Sequence, residues 1–253
     1  MLLDGKTAVI YGGGGSIGGA CARAFAREGA RVFLCGRTQE TLEKVADEIR
    51  SAGGSAETAT VDALDEAPVE RHAGEVAAEA GSLDISLNVI THPHTHGTPL
   101  YELGVEDYLA PIEVAARTTF ITSTAAARRM IEQGSGTILF FGGPGDRSAP
   151  DRDYKLGGTQ AAFDVIESFR RNLSVELGPH GVRVVTLESG GVPDTLPDME
   201  GGQEIVELIE AQTLLGRAAT LEDVGNTAAF AASDWARSMT AATINVSAGA
   251  LID

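Results

Sequence analysis

The nine residues Tyr11-Gly12-Gly13-Gly14-Gly15-Ser16-Ile17-Gly18-Gly19 constrain this chain more than any other segment. They follow a short apolar run, 7–11, and open an amphipathic stretch, 16–28. Glycine loses more conformational freedom on folding than any other residue, so a run this rich in it implies a backbone that must pass close to something. Between a strand and a helix, an anion fits that place. The amide N–H groups and dipole of a helix N-terminus favour negative charge, and the missing side chains let a pyrophosphate approach. A tight turn without a ligand is the alternative that the residues leave open. The order strand, glycine turn, helix points to dinucleotide binding.

The rest of the chain repeats that alternation. Runs rich in Val, Ile, Leu and Phe at 31–35, 56–61, 83–88, 137–141, 182–187 and 243–246 read as strands. Helical stretches lie between them, at 39–51, 67–80, 106–133, 159–177 and 221–232. Strands that are apolar throughout are buried on both faces, which is the pattern of a parallel sheet covered by helices. Right-handed crossovers then lead to a doubly wound α/β fold with three layers, α/β/α, and Rossmann-like topology. No polar linker divides the 253 residues. A single domain over 1–253 is expected, with a mobile Pro/Gly/acidic loop near 192–205.

Charge excludes some partners. The chain has 36 Asp and Glu against 19 Lys and Arg, a formal charge of −17. Nucleic acid and anionic lipid are bound by neutralising phosphates with cationic side chains, so neither is expected. Cys21 and Cys35 each sit in an apolar run and read as buried thiols rather than a disulfide pair. The N-terminus carries no basic region followed by a long apolar stretch, and no segment reaches the ~18–20 apolar residues of a membrane span. A cytoplasmic protein acting on a small molecule is expected.

Cofactor preference is read at the end of the second strand. A carboxylate there would bond the ribose 2′-OH of NAD; here Gly36 is followed by Arg37, whose guanidinium suits a 2′-phosphate. NADP(H) is expected, ahead of NAD(H).

Several motifs, in order from Lys6 to the C-terminus, make the sequence resemble the short-chain dehydrogenase/reductase family. The glycine turn is similar to that family's T-G-x-x-x-G-x-G, with Gly12 and Gly18 retained, Tyr11 in place of Thr and Ser16 in place of the middle Gly. Val61-Asp62 resembles the segment that contacts adenine, and Asn88 the first residue of N-N-A-G. Glu188-Ser189-Gly190-Gly191-Val192 stands where the family has P-G-x-V, with Asp194 replacing a Thr. The resemblance implies a dinucleotide held by Gly12, Ser16, Ile17, Gly18, Arg37, Asp62, Ala63, Asn88, Gln160 and Val192. It also implies a homotetramer paired through the two long helices, to which Ala115, Ala116, Ala125–Ala127, Ala161 and Ala162 would lend small faces.

The family's Asn–Ser–Tyr–Lys catalytic set does not carry over. By register its four places hold Ala115, Gly143, Leu156 and Gln160, and no shift of Tyr154 or Lys155 restores it. Leu156 cannot transfer a proton, and Gln160 carries no charge to lower a neighbour's pKa. Two substitutes are expected to border the same cleft. Tyr154 lies just before the helix that would carry the lost Tyr, and His92 lies in the run Thr91-His92-Pro93-His94-Thr95-His96 after Asn88. Imidazole titrates near neutral pH and serves as a general acid, although spare imidazoles in a solvated loop are the plainer reading. No shell for a metal is complete, so none is expected. The implied activity is an atypical NADP(H)-linked reduction of a carbonyl or conjugated small molecule. The alternative is a non-redox role, as a cofactor sensor, a partner protein or a fold reused for other chemistry.

Overall fold

The structure is a computed structural model and describes residues 1–94, 97–143, 155–196 and 201–252. Among the described residues seven strands are present: β1 (Thr7–Tyr11), β2 (Arg31–Gly36), β3 (Ser55–Thr60), β4 (Ile85–Asn88), β5 (Gly136–Gly142), β6 (Val182–Glu188) and β7 (Ala242–Asn245). Between them run α1 (Ser16–Arg27), α2 (Gln39–Ser51), α3 (Glu66–Ala80), α4 (Val105–Gln133), α5 (Thr159–Leu177), α6 (Gly202–Ala211) and α7 (Leu221–Ala232). The strands form one parallel sheet in the order β3-β2-β1-β4-β5-β6-β7. The chain builds outward from β1 to β3, then returns so that β4 pairs with the other side of β1. That reversal opens a crevice at the carboxyl ends of β1 and β4, where doubly wound folds bind ligands.

Consecutive strand residues feed two separate cores. Ile10, Leu34, Leu87 and Val185 pack with Phe25, Val45 and Val224 on one face of the sheet. Val9, Phe33 and Phe140 pack with Val69, Val76, Ala125 and Ile166 on the other. Each fully buried side chain of this size contributes about 1.5–3 kcal/mol of transfer free energy, and both faces demand it. That is why the strands read as continuous apolar runs. Tyr11 and both cysteines are among the buried groups. Burial pushes the Cys21 thiol up to about 12 and that of Cys35 higher still, so neither is a nucleophile at neutral pH. The Tyr11 phenol is raised by burial first, and then by the proximity of Cys35 and Glu70.

Two expectations change. Residues 192–205 are not a loop throughout: a 3-10 turn at Pro193–Thr195 is followed by α6, which starts at Gly202. Ile205, Val206 and Ile209 recur at helical spacing and turn inward as half-buried residues. Gly191 lets this helix settle, because a Cβ there would lie 2.9–3.0 Å from the Ile209 side chain. The small faces of α4 and α5 are also used differently. Ala115, Ala125, Ala126, Ala127 and Ala162 are buried within the chain's own core, where they let the helices approach the sheet, and are not presented outward.

Three contacts fix the frame around the crevice. The Arg183 guanidinium, at the amino end of β6, donates to Thr137 Oγ1 (2.8 Å) and to the carbonyls of Ala231 (2.8 Å), Ser233 (3.2 Å) and Met239 (3.1 Å). The Asp194 carboxylate accepts from Leu221 N at 2.9 Å, in the first turn of α7. Where α5 begins, Gly158 meets α4 so closely that a Cβ would stand 1.9 Å from the Tyr108 carbonyl oxygen.

Candidate active site

The glycine turn is built as a cradle. Gly12 leaves β1 with φ +88°, and the N–H groups of Gly12 and Gly13 both donate to the Cys35 carbonyl, at 2.9 and 3.1 Å. A Cβ on Gly12 would sit 2.7 Å from the Val89 carbonyl oxygen, and one on Gly18 would sit 2.2 Å from the Gly12 oxygen. The turn therefore packs backbone on backbone. At its end, Gly15 caps α1 with no side chain to bond the first-turn amides, and no acidic residue stands in that turn. Its free N–H groups and dipole are aimed at an anion.

This cradle is one end of a cleft of about 840 Å³. Gly12, Ser16, Ile17 and Gly18 line it, with Arg37 from the end of β2 and Asp62 and Ala63 after β3. Arg37 is exposed at the mouth and makes no ion pair among the described residues. Asp62 steadies its own turn, accepting from Leu64 N at 3.0 Å. The far end is lined by Ile90, His92, His94, Val114, Thr118 and Thr195.

Three expected residues stand behind the wall rather than in it. Asn88 is buried, donates to Thr122 Oγ1 at 3.1 Å and accepts from Ile90 N at 3.0 Å, so it braces the turn after β4 against α4. Val192 belongs to the core, and its carbonyl accepts both the N–H and the hydroxyl of Thr195, at 2.9 and 2.8 Å. Asp194, at the family's Thr place, turns to α7, while the neighbouring Thr195 lines the cleft. Gln160, in the first turn of α5, has a buried Nε2 that finds no partner among the described residues.

The four carried-over places are apolar or neutral. Ala115 is fully buried, and Leu156 is half-buried. Gly143 has no room for a side chain, because a Cβ would lie 2.6–3.1 Å from three ring atoms of Phe163 on α5. The Phe163 ring thus occupies the place where a side chain at 143 would stand. His92 is 8% exposed and meets the same ring edge-on, with centroids 6.2 Å apart and planes at 61°. Burial, and secondarily His94, lowers the His92 pKa to about 4. At neutral pH it is an uncharged imidazole, suited to hydrogen bonding rather than to supplying an imidazolium proton. Tyr154, with His96, lies outside the described residues. Among the described residues no three His, Cys, Asp or Glu side chains are placed to hold a metal, and no helix is long and apolar enough to cross a membrane.

His92 should therefore leave a signature in stability. The folded chain refuses its proton down to about pH 4, while an unfolded histidine takes one near 6.5. Between those values the unfolded state binds more protons, so this contribution is complete above pH 6.5 and is lost as the pH falls toward 4. The full difference is about 3 kcal/mol. Urea unfolding at pH 7.5 and 4.5 should show a smaller acid loss for His92→Phe than for the parent; equal losses would contradict the burial.

A glycine cradle at the switch point of a parallel sheet, opening into a long cleft, is the arrangement in which doubly wound α/β proteins hold dinucleotides. Comparisons agree. The family profile described as "Enoyl-(Acyl carrier protein) reductase" matches residues 13–250. Oxidoreductase asL5 of Sarocladium schorii is 32% identical over 98% of this chain and 96% of its own length. Galactitol 2-dehydrogenase of Rhizobium johnstonii (strain DSM 114642 / LMG 32736 / 3841) is 31% identical, with 98% and 95% covered. The crystal structure of a gluconate 5-dehydrogenase from Burkholderia cenocepacia J2315, in complex with NADP and tartrate, superposes with a TM-score of 0.86 over 98% of this chain and 96% of that one; at 24% identity the likeness is one of fold. The chain belongs to the short-chain dehydrogenase/reductase family, and its relatives' names place it among oxidoreductases.

Proposed function

We propose that the chain is an NADP(H)-linked oxidoreductase that reduces a carbonyl or conjugated small molecule without the family's Tyr/Lys pair. The observation that carries this reading is the cradle: Gly12 and Gly18 interlock, and the first-turn amides of α1 are uncapped at the head of the 840 Å³ cleft. The residues fit the cofactor. Ser16, Ile17 and Gly18 would hold the pyrophosphate, Asp62 and Ala63 would border the adenine, and Arg37 would meet the 2′-phosphate. Gln160 Nε2, buried without a partner among the described residues, would serve a ribose hydroxyl. Asn88 and Val192 act one layer back, by bracing Ile90 and Thr195.

When bound, the reduced dinucleotide supplies a hydride at the nicotinamide end. There the chain must exclude water and steady the oxygen or carbon that gains charge. Thr118 and Thr195 line that end, but their hydroxyls donate to the Val114 and Val192 carbonyls, and His92 brings a neutral imidazole. Tyr154, five residues before α5, is the proposed proton donor; His92, the second candidate by sequence, is a neutral imidazole at working pH and would hydrogen-bond rather than give up a proton.

Calorimetry with NADPH and NADH tests the cofactor. Arg37→Ala should weaken NADPH by about tenfold to a hundredfold, the worth of a charge-assisted phosphate contact, and leave NADH within about twofold. Tighter NADH binding in the parent would overturn the assignment. Turnover is read as loss of absorbance at 340 nm against ketones, quinones and enones. On the first substrate found, Tyr154→Phe and His92→Ala are compared at matched NADPH affinity. If both turn over like the parent, neither residue is the donor.

The filled corner at Gly143 favours a second reading, a cofactor-binding protein without redox turnover. NADPH bound tightly and not consumed by any member of the panel would select it. We also propose a homotetramer. With Ala115, Ala125–Ala127 and Ala162 spent internally and Ala116 and Ala161 half-buried, Phe120 (51% exposed) and Val175 (77% exposed) are apolar residues those helices offer outward. A monomeric mass by light scattering would refute it.

A further inference from the structure

The glycine cradle hangs from one residue of β2. The Cys35 carbonyl accepts the N–H groups of both Gly12 and Gly13, and the next carbonyl, that of Gly36, accepts Val61 N at 2.9 Å. Tyr11 stands opposite Cys35 in the β1–β2 register. The end of β2 therefore joins the phosphate turn, the Arg37 corner and the segment that leads to Asp62. The Cys35 side chain takes no part in the cleft; it lies in the core on the α3 face of the sheet, beside Val69 and Ala73. There its Sγ is 3.5 Å from Nδ1 and 3.8 Å from Nε2 of His72, a residue of α3 that is 9% exposed. Burial raises the thiol pKa and lowers that of the imidazole, against a smaller opposite pull from Glu75. The two meet as S–H donor and uncharged ring acceptor. Two apolar side chains would fill the same core without desolvating polar groups. A paired polar set, by contrast, fixes one arrangement where apolar packing tolerates several.

We propose that His72 is a positioning residue for the adenine half of the dinucleotide: it holds Cys35 from beneath, and through the Cys35 backbone it sets the cradle amides and Arg37. This rests on the assignment of the cleft to a dinucleotide with its adenine at the Asp62 end. Helix α3 starts at Glu66, just past that segment, so the element that leaves the adenine pocket returns His72 under β2. With the contact gone, the Cys35 side chain is free to turn, and the strand end and both glycine amides move with it. The far end of the cleft, built by the turn after β4 and by α4, has no share in this contact.

The probes are 2′,5′-ADP, followed by calorimetry on the isolated protein, and NADH, followed by its fluorescence. His72→Ala should weaken 2′,5′-ADP by about tenfold among folded molecules, and NADH by a similar factor, because the cradle moves and not Arg37 alone. His72→Gln, whose amide oxygen accepts a thiol proton, should stay within about threefold of the parent. Cys35→Ala should match His72→Ala, and the double variant should bind no more weakly than either single one, as expected of two groups that act as a pair. A purely structural role would lower the melting temperature and leave the affinity of folded molecules unchanged. If His72→Ala does not fold, as judged by circular dichroism, Cys35→Ala carries the test. Parental affinity in either folded variant, or losses that add in the double variant, overturns the proposal. Failure of the parent to bind 2′,5′-ADP counts against the cofactor assignment instead. The pair is then read by maleimide labelling of Cys35 located by mass spectrometry, which should be faster in His72→Ala than in the parent; equal rates would refute the pairing.

Discussion

Gly18→Ala should abolish dinucleotide binding, with an affinity loss of more than about a hundredfold, and should destabilise the fold by about 2–4 kcal/mol. The added carbon would stand 2.2 Å from the Gly12 carbonyl oxygen and 2.9 Å from its carbon, closer than any real contact. Neither neighbour can yield. Gly12 is held by its bond to Cys35 O and by the Val89 carbonyl on its other side, and Gly18 belongs to the first turn of α1. The turn must open, which moves the amides that would face the pyrophosphate. Gly178→Ala is the control: no atom lies within 4 Å of its would-be Cβ, and φ there is −53°, so the substitution should be neutral or slightly stabilising. Fluorescence titration with NADPH and thermal melts of both variants decide the matter. Parental binding by Gly18→Ala would mean that the turn is not the cradle.

Arg183→Ala should cost about 3 kcal/mol of folding stability and leave cofactor affinity unchanged. The side chain satisfies the carbonyls of Ala231 and Ser233 at the end of α7, the Met239 carbonyl before β7, and the Thr137 hydroxyl on β5. The last carbonyls of a helix have no partner within it, so removing the guanidinium strands polar groups that are partly buried. Burial lowers the Arg183 pKa from its ordinary value, yet an arginine so placed stays charged through the working pH range. The lesion lies at the amino end of the strands, and the cleft opens at the other. Urea unfolding should show the loss, and Arg183→Lys, which keeps the charge but not the fork, should restore only part of it. A drop in NADPH affinity among folded molecules would contradict the separation of frame from site.

The sheet was legible because burial on both faces writes itself as unbroken apolar runs, and each of the seven strands lies within two residues of where those runs place it. The glycine turn was legible for a similar reason: only a glycine tolerates the Gly12–Val89 and Gly12–Gly18 approaches. Helix α6 was missed although Ile205, Val206 and Ile209 keep its period, because Gly201-Gly202 read as a break when in fact Gly201, at φ +79°, caps the helix from outside. The corner at Gly143 was half-legible. The sequence shows an absent side chain, but what fills the space comes from Phe163, twenty residues on and brought back by the β5–α5 crossover. The state of His92 was hardly legible, since its low pKa comes first from the packing around it and only secondarily from its chain neighbour His94.

The central place of β1 sets the order in which this protein is made. Tyr11 pairs with Cys35 on one side and with Asn88 on the other. The first partner leaves the ribosome soon after β1; the second comes much later in synthesis. Until Ile85 arrives opposite Ala8, the nascent β1 has one bare edge, and the Val89 carbonyl that closes the glycine turn does not yet exist. Pairings of such sequence separation are slow and leave apolar edges open to misassembly. A chain stalled before residue 85 should therefore be a client for chaperones, and one stalled after β5 should already carry the phosphate end of its cleft.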